Sequence, residues 1–109
     1  MARLATSVWV SAYRRRLELE GIPCMVAAKG DADAGAVLVK CATLDGRASV
    51  HHRSFDLSTG DRVWAVLAEG AEADCDAAIA RQRGFDPDLW VLEVEDPRGR
   101  HMLGEAGLE

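Results

Sequence analysis

The sequence predicts an α+β fold, in which an antiparallel-rich sheet of about five strands packs with two helices in the order α-β-β-β-β-α-β. Apolar residues recur at helical spacing in two segments. Five further segments are rich in Val, Ile, Leu and Trp and have the lengths of strands, with turn residues between them. A chain of 109 residues that is 49% apolar suits one core. We therefore treat residues 1–109 as a single domain.

The first helix is predicted over residues 7–20. Trp9, Tyr13 and Leu17 follow one another at four-residue steps and share one side of it. This apolar side favours packing in the core. The alternative is that Trp9 and Tyr13 form an exposed anchor for a protein partner or a second subunit, because aromatic residues often dominate such interfaces.

Both ends of this helix carry signals. Thr6 or Ser7 can accept a hydrogen bond from a first-turn N–H group, and Gly21 supplies a left-handed stop. Charged residues one turn apart predict exposed ion pairs on the outer side of the helix. These pairs are Arg14–Glu18 and Arg16–Glu20.

Three strands are predicted next. Residues 22–29 and 36–43 are apolar runs separated by a Gly- and Asp-rich turn, which favours a hairpin between them. Asp45 and Gly46 suit a tight turn because both tolerate positive φ, so residues 48–57 should form a third antiparallel strand.

The second half of the chain completes the sheet. Residues 63–68 are a continuous apolar run, which predicts a strand buried on both faces near the centre of the sheet. Residues 71–83 have helical spacing and precede Gly84, which is expected to stop the helix. Residues 89–95 alternate as a half-buried last strand. A right-handed crossover then predicts that both helices share one face, as a two-layer sandwich.

Four stretches carry a resemblance to a known family. They are residues 9–13 (WVSAY), 35–40 (GAVLVK), 53–57 (RSFDL) and, most specifically, 80–96 (ARQRGFDPDLWVLEVED). Over nearly the whole chain the sequence resembles the bacterial family called domain of unknown function 1491. The resemblance implies a short, single-domain bacterial protein and a complete chain rather than a fragment. It assigns no reaction, cofactor or catalytic residue.

Charge and hydropathy argue against two classes of partner. The net charge is −5, and residues 69–109 carry four Arg against eleven Asp and Glu. Such a surface repels nucleic acid, and the basic cluster at residues 14–16 is spread around a helix and partly neutralised by glutamates. No apolar run has the length of a membrane span or a signal peptide. We expect a cytoplasmic protein that binds neither nucleic acid nor membrane.

The three cysteines are Cys24, Cys41 and Cys75. Their odd number and wide spacing suggest neither a disulfide framework nor a thiolate zinc site. We predict that they are reduced and mostly buried. Counting from the Asp45-Gly46 turn places Cys41 opposite Ser49 or Val50, close to a histidine, but apolar neighbours argue against a nucleophile there.

A ligand-binding strand is the strongest chemical candidate in the sequence. His51 and His52 are adjacent, so they point to opposite faces of a strand and cannot both bind one metal ion. His51 and Arg53 share a face and could offer a proton and an anion contact. A calcium loop beginning at Asp31 fails, because Ala36 and Ala42 stand where such a loop needs Gly and Glu.

The leading hypothesis from sequence is a non-catalytic protein-interaction or self-associating module, because free sheet edges would be available for pairing. The alternative is a small-ligand-binding protein or minor enzyme. It would use His51, His52 and Arg53, with Cys41 or Asp56 nearby. We predict no catalytic residue, no metal site and no cofactor.

Overall fold

The computed structural model describes residues 4–105 and 107–108. It contains two helices and a five-stranded sheet in the predicted order, so the α+β class is confirmed. The elements are α1 (Thr6–Leu19), β1 (Cys24–Ala28), β2 (Val37–Ala42), β3 (Arg47–Phe55), β4 (Arg62–Ala71), α2 (Glu72–Phe85) and β5 (Trp90–Glu95). Within the described residues, neither helix is long and apolar enough to cross a membrane.

The sheet is mixed, with the strand order β1-β5-β2-β3-β4. The strands β5 and β2 run parallel, with Val39 opposite Leu92, and all other neighbours are antiparallel. The predicted hairpin between the first two strands is therefore wrong. The strand β5 lies between β1 and β2 and pairs with both.

The loop between β1 and β2 is held at the start of β5, which accounts for this difference. Asp31 N–H donates to the carbonyl of Asp88 at 3.0 Å, and the indole of Trp90 donates to the Asp31 carbonyl at 2.7 Å. A Cβ at Gly30 or Gly35 would lie 2.1 or 2.6 Å from the Asp88 carbonyl oxygen. Only glycine allows this close approach, so the loop spans the end of β5 instead of closing a hairpin.

The hairpin between β2 and β3 is confirmed, and Cys41 lies opposite Ser49 as one of the two predicted partners. The turn differs in detail. Positive φ occurs at Leu44 (64°) and Gly46 (88°), whereas Asp45 uses its carboxylate to accept hydrogen bonds from the flanking residues.

The two helices lie on opposite faces of the sheet, which corrects the expected two-layer arrangement. The α1 side includes Val39 and Leu92, whereas the α2 side includes Leu38 and Val50. Because Leu38 and Val39 are neighbours on one strand, they must point to opposite faces. The sheet is therefore covered by one helix on each side.

The start of α1 is not capped by its own side chains, contrary to the expectation for Thr6 or Ser7. Their backbone N–H groups donate to the carbonyls of Asp33 and Ala32 at 3.1 and 2.8 Å, and the Thr6 hydroxyl donates to the Gly35 carbonyl. The β1–β2 loop thus caps the helix. The described ion pairs of α1 are Arg15–Glu18 and Arg16–Glu105, not the two predicted pairs.

The other end of α1 follows the sequence signal, because Gly21 has a φ of 71°. In α2, Cys75 and Ala78 are buried on the predicted side. However, Gly84 lies inside the helix, which ends at Phe85.

The strand β4 differs most from its prediction. It has ten residues and occupies an edge of the sheet, so the expected central position is wrong. Its side chains are half-buried or exposed throughout, which contradicts burial on both faces.

Candidate functional site

The predicted ligand-binding residues lie on β3, with His51 and Arg53 on the α1 side of the sheet. His51 is buried, and its Nε2 lies 2.8 Å from the Ser49 hydroxyl. The His51 ring lies 4.3 Å from that of His101, between ring centroids. Burial, followed by the neighbouring His101, lowers the pKa of His51 to about 4. Burial also lowers the pKa of His101, so both rings lie where the charged form is disfavoured.

Arg53 contacts two indole rings that also pack against each other, with centroids 5.4 Å apart. Its guanidinium carbon is 5.0 Å from the ring centroid of Trp9 and 4.9 Å from that of Trp64, distances at which the ring faces attract a cation. Trp9 also stacks on Tyr13, with centroids 4.9 Å apart. The Nε1 of Trp9 is buried without a hydrogen-bond partner among the described residues. This cluster connects α1 to the β3–β4 hairpin.

The segment that follows β5 covers this cluster. We call its described residues, 97–105 and 107–108, the tail. The Tyr13 hydroxyl donates to the His101 carbonyl at 2.6 Å, and the Trp64 indole donates to the Leu108 carbonyl at 3.2 Å. Leu108 is itself buried. The tail therefore takes the place that a ligand of the predicted strand would need.

The two aromatic residues considered as an exposed anchor lie in the core. Trp9 is 6% exposed and Tyr13 is 0% exposed. The rings offer almost no surface to a partner. Their structural contribution is the packing of α1 and the bond that Tyr13 makes to the tail.

His52 points to the other face of the sheet and is half-buried. It lies opposite Ala65 of β4, whereas His51 lies opposite Val66. The structure therefore brings together His51 and Arg53 on one face and leaves His52 on the other. Sequence reasoning did not pair His51 with His101, because no local pattern links the tail to β3.

The cysteines do not have the properties of nucleophiles. All three are free thiols, and Cys41 and Cys75 are buried. Burial raises the pKa of Cys24 to about 11 and also raises the pKa values of Cys41 and Cys75. A catalytic thiol needs a lowered pKa, so these environments oppose thiolate chemistry. Among the described residues, no group of His, Cys, Asp and Glu is arranged to hold a metal ion.

A buried lysine on the α2 side forms the main ionic cluster. Lys40 Nζ lies 2.8 Å from Glu72, 2.7 Å from Asp76 and 3.4 Å from Glu93. Burial lowers the pKa of Lys40, but the hydrogen bonds that Lys40 donates to Asp76 and Glu72 and the charge of Glu93 outweigh it, so the pKa ends above its ordinary value. The ammonium has no lone pair for nucleophilic attack, and its ion pairs join β2, β5 and α2.

Two open clefts flank α1. The larger has a volume of about 630 Å³ and lies between the outer side of α1 and the start of β1, where Arg14 and Cys24 line it. The smaller, about 330 Å³, lies beside the tail at Arg100 and Met102. Neither contains the predicted ligand-binding residues.

The exposed edge of β4 is the most distinctive surface of the molecule. Val63 and Val66 are 37% and 51% exposed, and Phe55 at the end of β3 and Leu57 in the β3–β4 turn are also exposed. Within the described part of the chain, no strand pairs with the outer side of β4. Its backbone N–H and C=O groups can therefore accept another strand.

Sequence reasoning identified free edges in general but not this strand. The apolar run 63–68 suggested a central strand, because a strand with few polar residues is usually covered on both faces. The useful signal lay just outside the run. Arg62 and Glu69 flank the apolar run and are the only charged residues of β4.

Comparisons with known proteins agree with the family resemblance. The family model of DUF1491, described as a protein of unknown function, matches residues 4–104. No curated protein matches the chain.

Solved structures are similar over most of the chain. A crystal structure of a DUF1491 family protein from Caulobacter crescentus has a TM-score of 0.85 and 44% identity, covering 94% of this chain and 97% of that one. An NMR structure of a DUF1491 family protein from the same organism has a TM-score of 0.82, 43% identity and 96% coverage of each chain. The solution structure of a protein from A. tumefaciens has a TM-score of 0.73, 30% identity and 86% coverage of each.

Proposed function

The chain belongs to the DUF1491 family of unknown function, and we propose that it is a non-catalytic protein-interaction module that binds its partner by strand addition at β4. In this mode, main-chain hydrogen bonds supply affinity and exposed side chains supply specificity. The observation that carries the proposal is a ten-residue edge strand with Val63 exposed near its start and Val66 exposed at its middle.

The other sheet edge supports this choice by contrast. The strand β1 has only five residues, follows Pro23, and changes register between Val26 and Ala28. Short length and proline are features by which proteins prevent edge pairing. The strand β4 is twice as long and has no proline, so it is the better template for a partner strand.

The chemistry of the covered cluster also favours binding over catalysis. His51 and Arg53 contact the protein's own aromatic rings and tail, and neither lines a cleft. The thiols have raised pKa values. A surface that is accessible as it stands is therefore the stronger candidate for function.

We also propose that the module works in the cytoplasm of a bacterial cell. Three free thiols are typical of a reducing compartment. The similar structures come from Caulobacter crescentus and A. tumefaciens, which are bacteria. Fractionation of cells, followed by detection of the untagged protein in the soluble cytoplasmic fraction, tests this location.

Site-specific photo-crosslinking in cells tests the function. Val66 is replaced by the photo-reactive amino acid benzoylphenylalanine, and a matched chain carries it at Phe85, which is 84% exposed at the end of α2. We expect one dominant covalent adduct from position 66 and none from position 85. Mass spectrometry of the linked peptides identifies the partner. Equal labelling from both positions, or none from position 66, would contradict the proposal.

A further inference from the structure

We propose that the partner at β4 is a second copy of this chain, paired antiparallel about a twofold axis at Ala65; this inference rests on the proposed function. Three features of β4 support this pairing: the order of its side chains, the position of its bulge and its two charges. Together they make the edge complementary to itself.

The β3–β4 pairing defines the ladder positions of β4. Val66 lies opposite His51 and Ala68 lies opposite Val50, so Leu67 has no partner on β3. Leu67 is the extra residue of a β-bulge and packs on the α2 side. Seven regular positions remain from Arg62 to Glu69, both charged residues included. In order they are Arg62, Val63, Trp64, Ala65, Val66, Ala68 and Glu69.

Ala65 is the middle of these seven positions. An antiparallel pairing centred there sets Ala65 opposite itself. Moving outward, it pairs Trp64 with Val66, Val63 with Ala68, and Arg62 with Glu69. Each pair joins residues that lie on the same face, because the bulge shifts the alternation by one residue.

The charges favour this register. Arg62 lies opposite Phe55 and Glu69 lies opposite Ser49, so both belong to the α1 side of the sheet. The twofold axis brings each Arg62 to the Glu69 of the other copy, twice in one dimer. Opposite charges in directly opposed positions stabilise strand pairs, whereas like charges destabilise them. A parallel pairing of two copies would set like charges near each other.

The exposed apolar side chains favour the same arrangement. Val66 would contact Trp64 of the second copy on the α1 side, and Val63 would contact Ala68 on the α2 side. Both valines would lose exposure to water. The result is a continuous ten-stranded sheet with helices on both faces.

Charge reversal tests the register in purified protein. Sedimentation velocity over a range of concentrations is measured for the wild type, Arg62→Glu, Glu69→Arg, and an equal mixture of the two variants. We expect a dimer for the wild type and roughly tenfold weaker self-association for each variant alone. The mixture should recover wild-type affinity, because a mixed dimer has opposite charges at both pairs. Asp33→Arg, an exposed change in the β1–β2 loop, controls for net charge.

A cysteine variant gives a readout that does not depend on the charges. Ala65→Cys should form a disulfide-linked dimer under mild oxidation, whereas Ala71→Cys at the end of the same strand should not. A monomeric wild type, variants with unchanged affinity, a mixture without recovery, or no Ala65→Cys dimer would overturn the inference. The cellular crosslink from position 66 separates the two proposals, since an adduct with a different protein supports strand addition and excludes the second copy.

Discussion

The two faces of the sheet are covered by different kinds of side chain. The α1 side contains most of the large side chains of the core, including Trp9, Tyr13 and Leu92. The α2 side is built from smaller groups such as Ala48 and Cys75, with the Lys40 ion cluster beside them.

The difference follows from how far each helix reaches. Of the five strands, α1 makes its closest backbone approach to β1, whereas α2 lies over β2, β3 and β4. The α1 side of β3 and β4 is therefore covered by the Trp9 side chain and by the tail, which is held by side-chain bonds from Tyr13 and Trp64. A short irregular segment performs the task that a helix performs on the other side.

Acid should affect the α1 side most strongly. Because the pKa of His51 is about 4 in the folded chain and about 6.5 when unfolded, the unfolded state binds a proton first as the pH falls. The contribution of His51 to the free energy of unfolding is therefore fully present above pH 6.5. It should fall by about 3 kcal/mol between pH 6.5 and pH 4. Urea unfolding across this range measures the slope.

The histidines provide a matched pair of variants for that measurement. His51→Gln should flatten the pH dependence between 6.5 and 4, whereas His52→Gln on the opposite face should leave it steep. An unchanged slope in His51→Gln would show that other groups govern the acid response.

Removal of the buried charge should have a smaller effect on the α2 side. Lys40→Met leaves three carboxylates close together, but these are 33–56% exposed and remain partly hydrated. We expect a loss of about 1–2 kcal/mol, discounted for this hydration. High salt should reduce the loss, because it screens the repulsion.

Urea unfolding at low and high salt tests this, with Lys29→Met as the exposed control. A larger loss at high salt than at low salt would mean that packing, rather than charge, determines the effect of Lys40.

The smallest expected effect concerns the attachment of the tail. Tyr13→Phe removes the bond to the His101 carbonyl and should cost about 1 kcal/mol. Trypsin cleavage after Arg100 should become faster at a concentration of urea well below global unfolding. An unchanged cleavage rate, together with lower global stability, would show that this bond supports the core rather than the tail.

The sequence predicted the local features of the fold better than the long-range ones. The alternation of β5 and the turn at Gly46 involve neighbouring residues, so they are visible in a short window of sequence. The parallel pairing of Val39 with Leu92 joins distant segments and leaves no local pattern. The same reason explains why the contact between His51 and His101 was missed.

The edge strand β4 shows a different limit of structure prediction from sequence. The run around Val66 is apolar enough for a central strand, and its composition alone does not distinguish burial under helices from exposure at an edge. The distinction depends on β5, which takes the place beside β2 and leaves β4 at the edge. Whether a strand lies at the edge of the sheet thus depends on the order of all the strands.

The position of β5 also determines the order in which the molecule assembles during synthesis. The strands β2, β3 and β4 are joined by hairpins and can pair as soon as each leaves the ribosome. The strand β1 emerges before them, yet its only partner in the described chain is β5. Residues of α1 and β1 must therefore wait until β5 is available. During that interval the apolar side of α1 lacks the β5 residues that cover it in the folded protein, among them Leu92 and Val94.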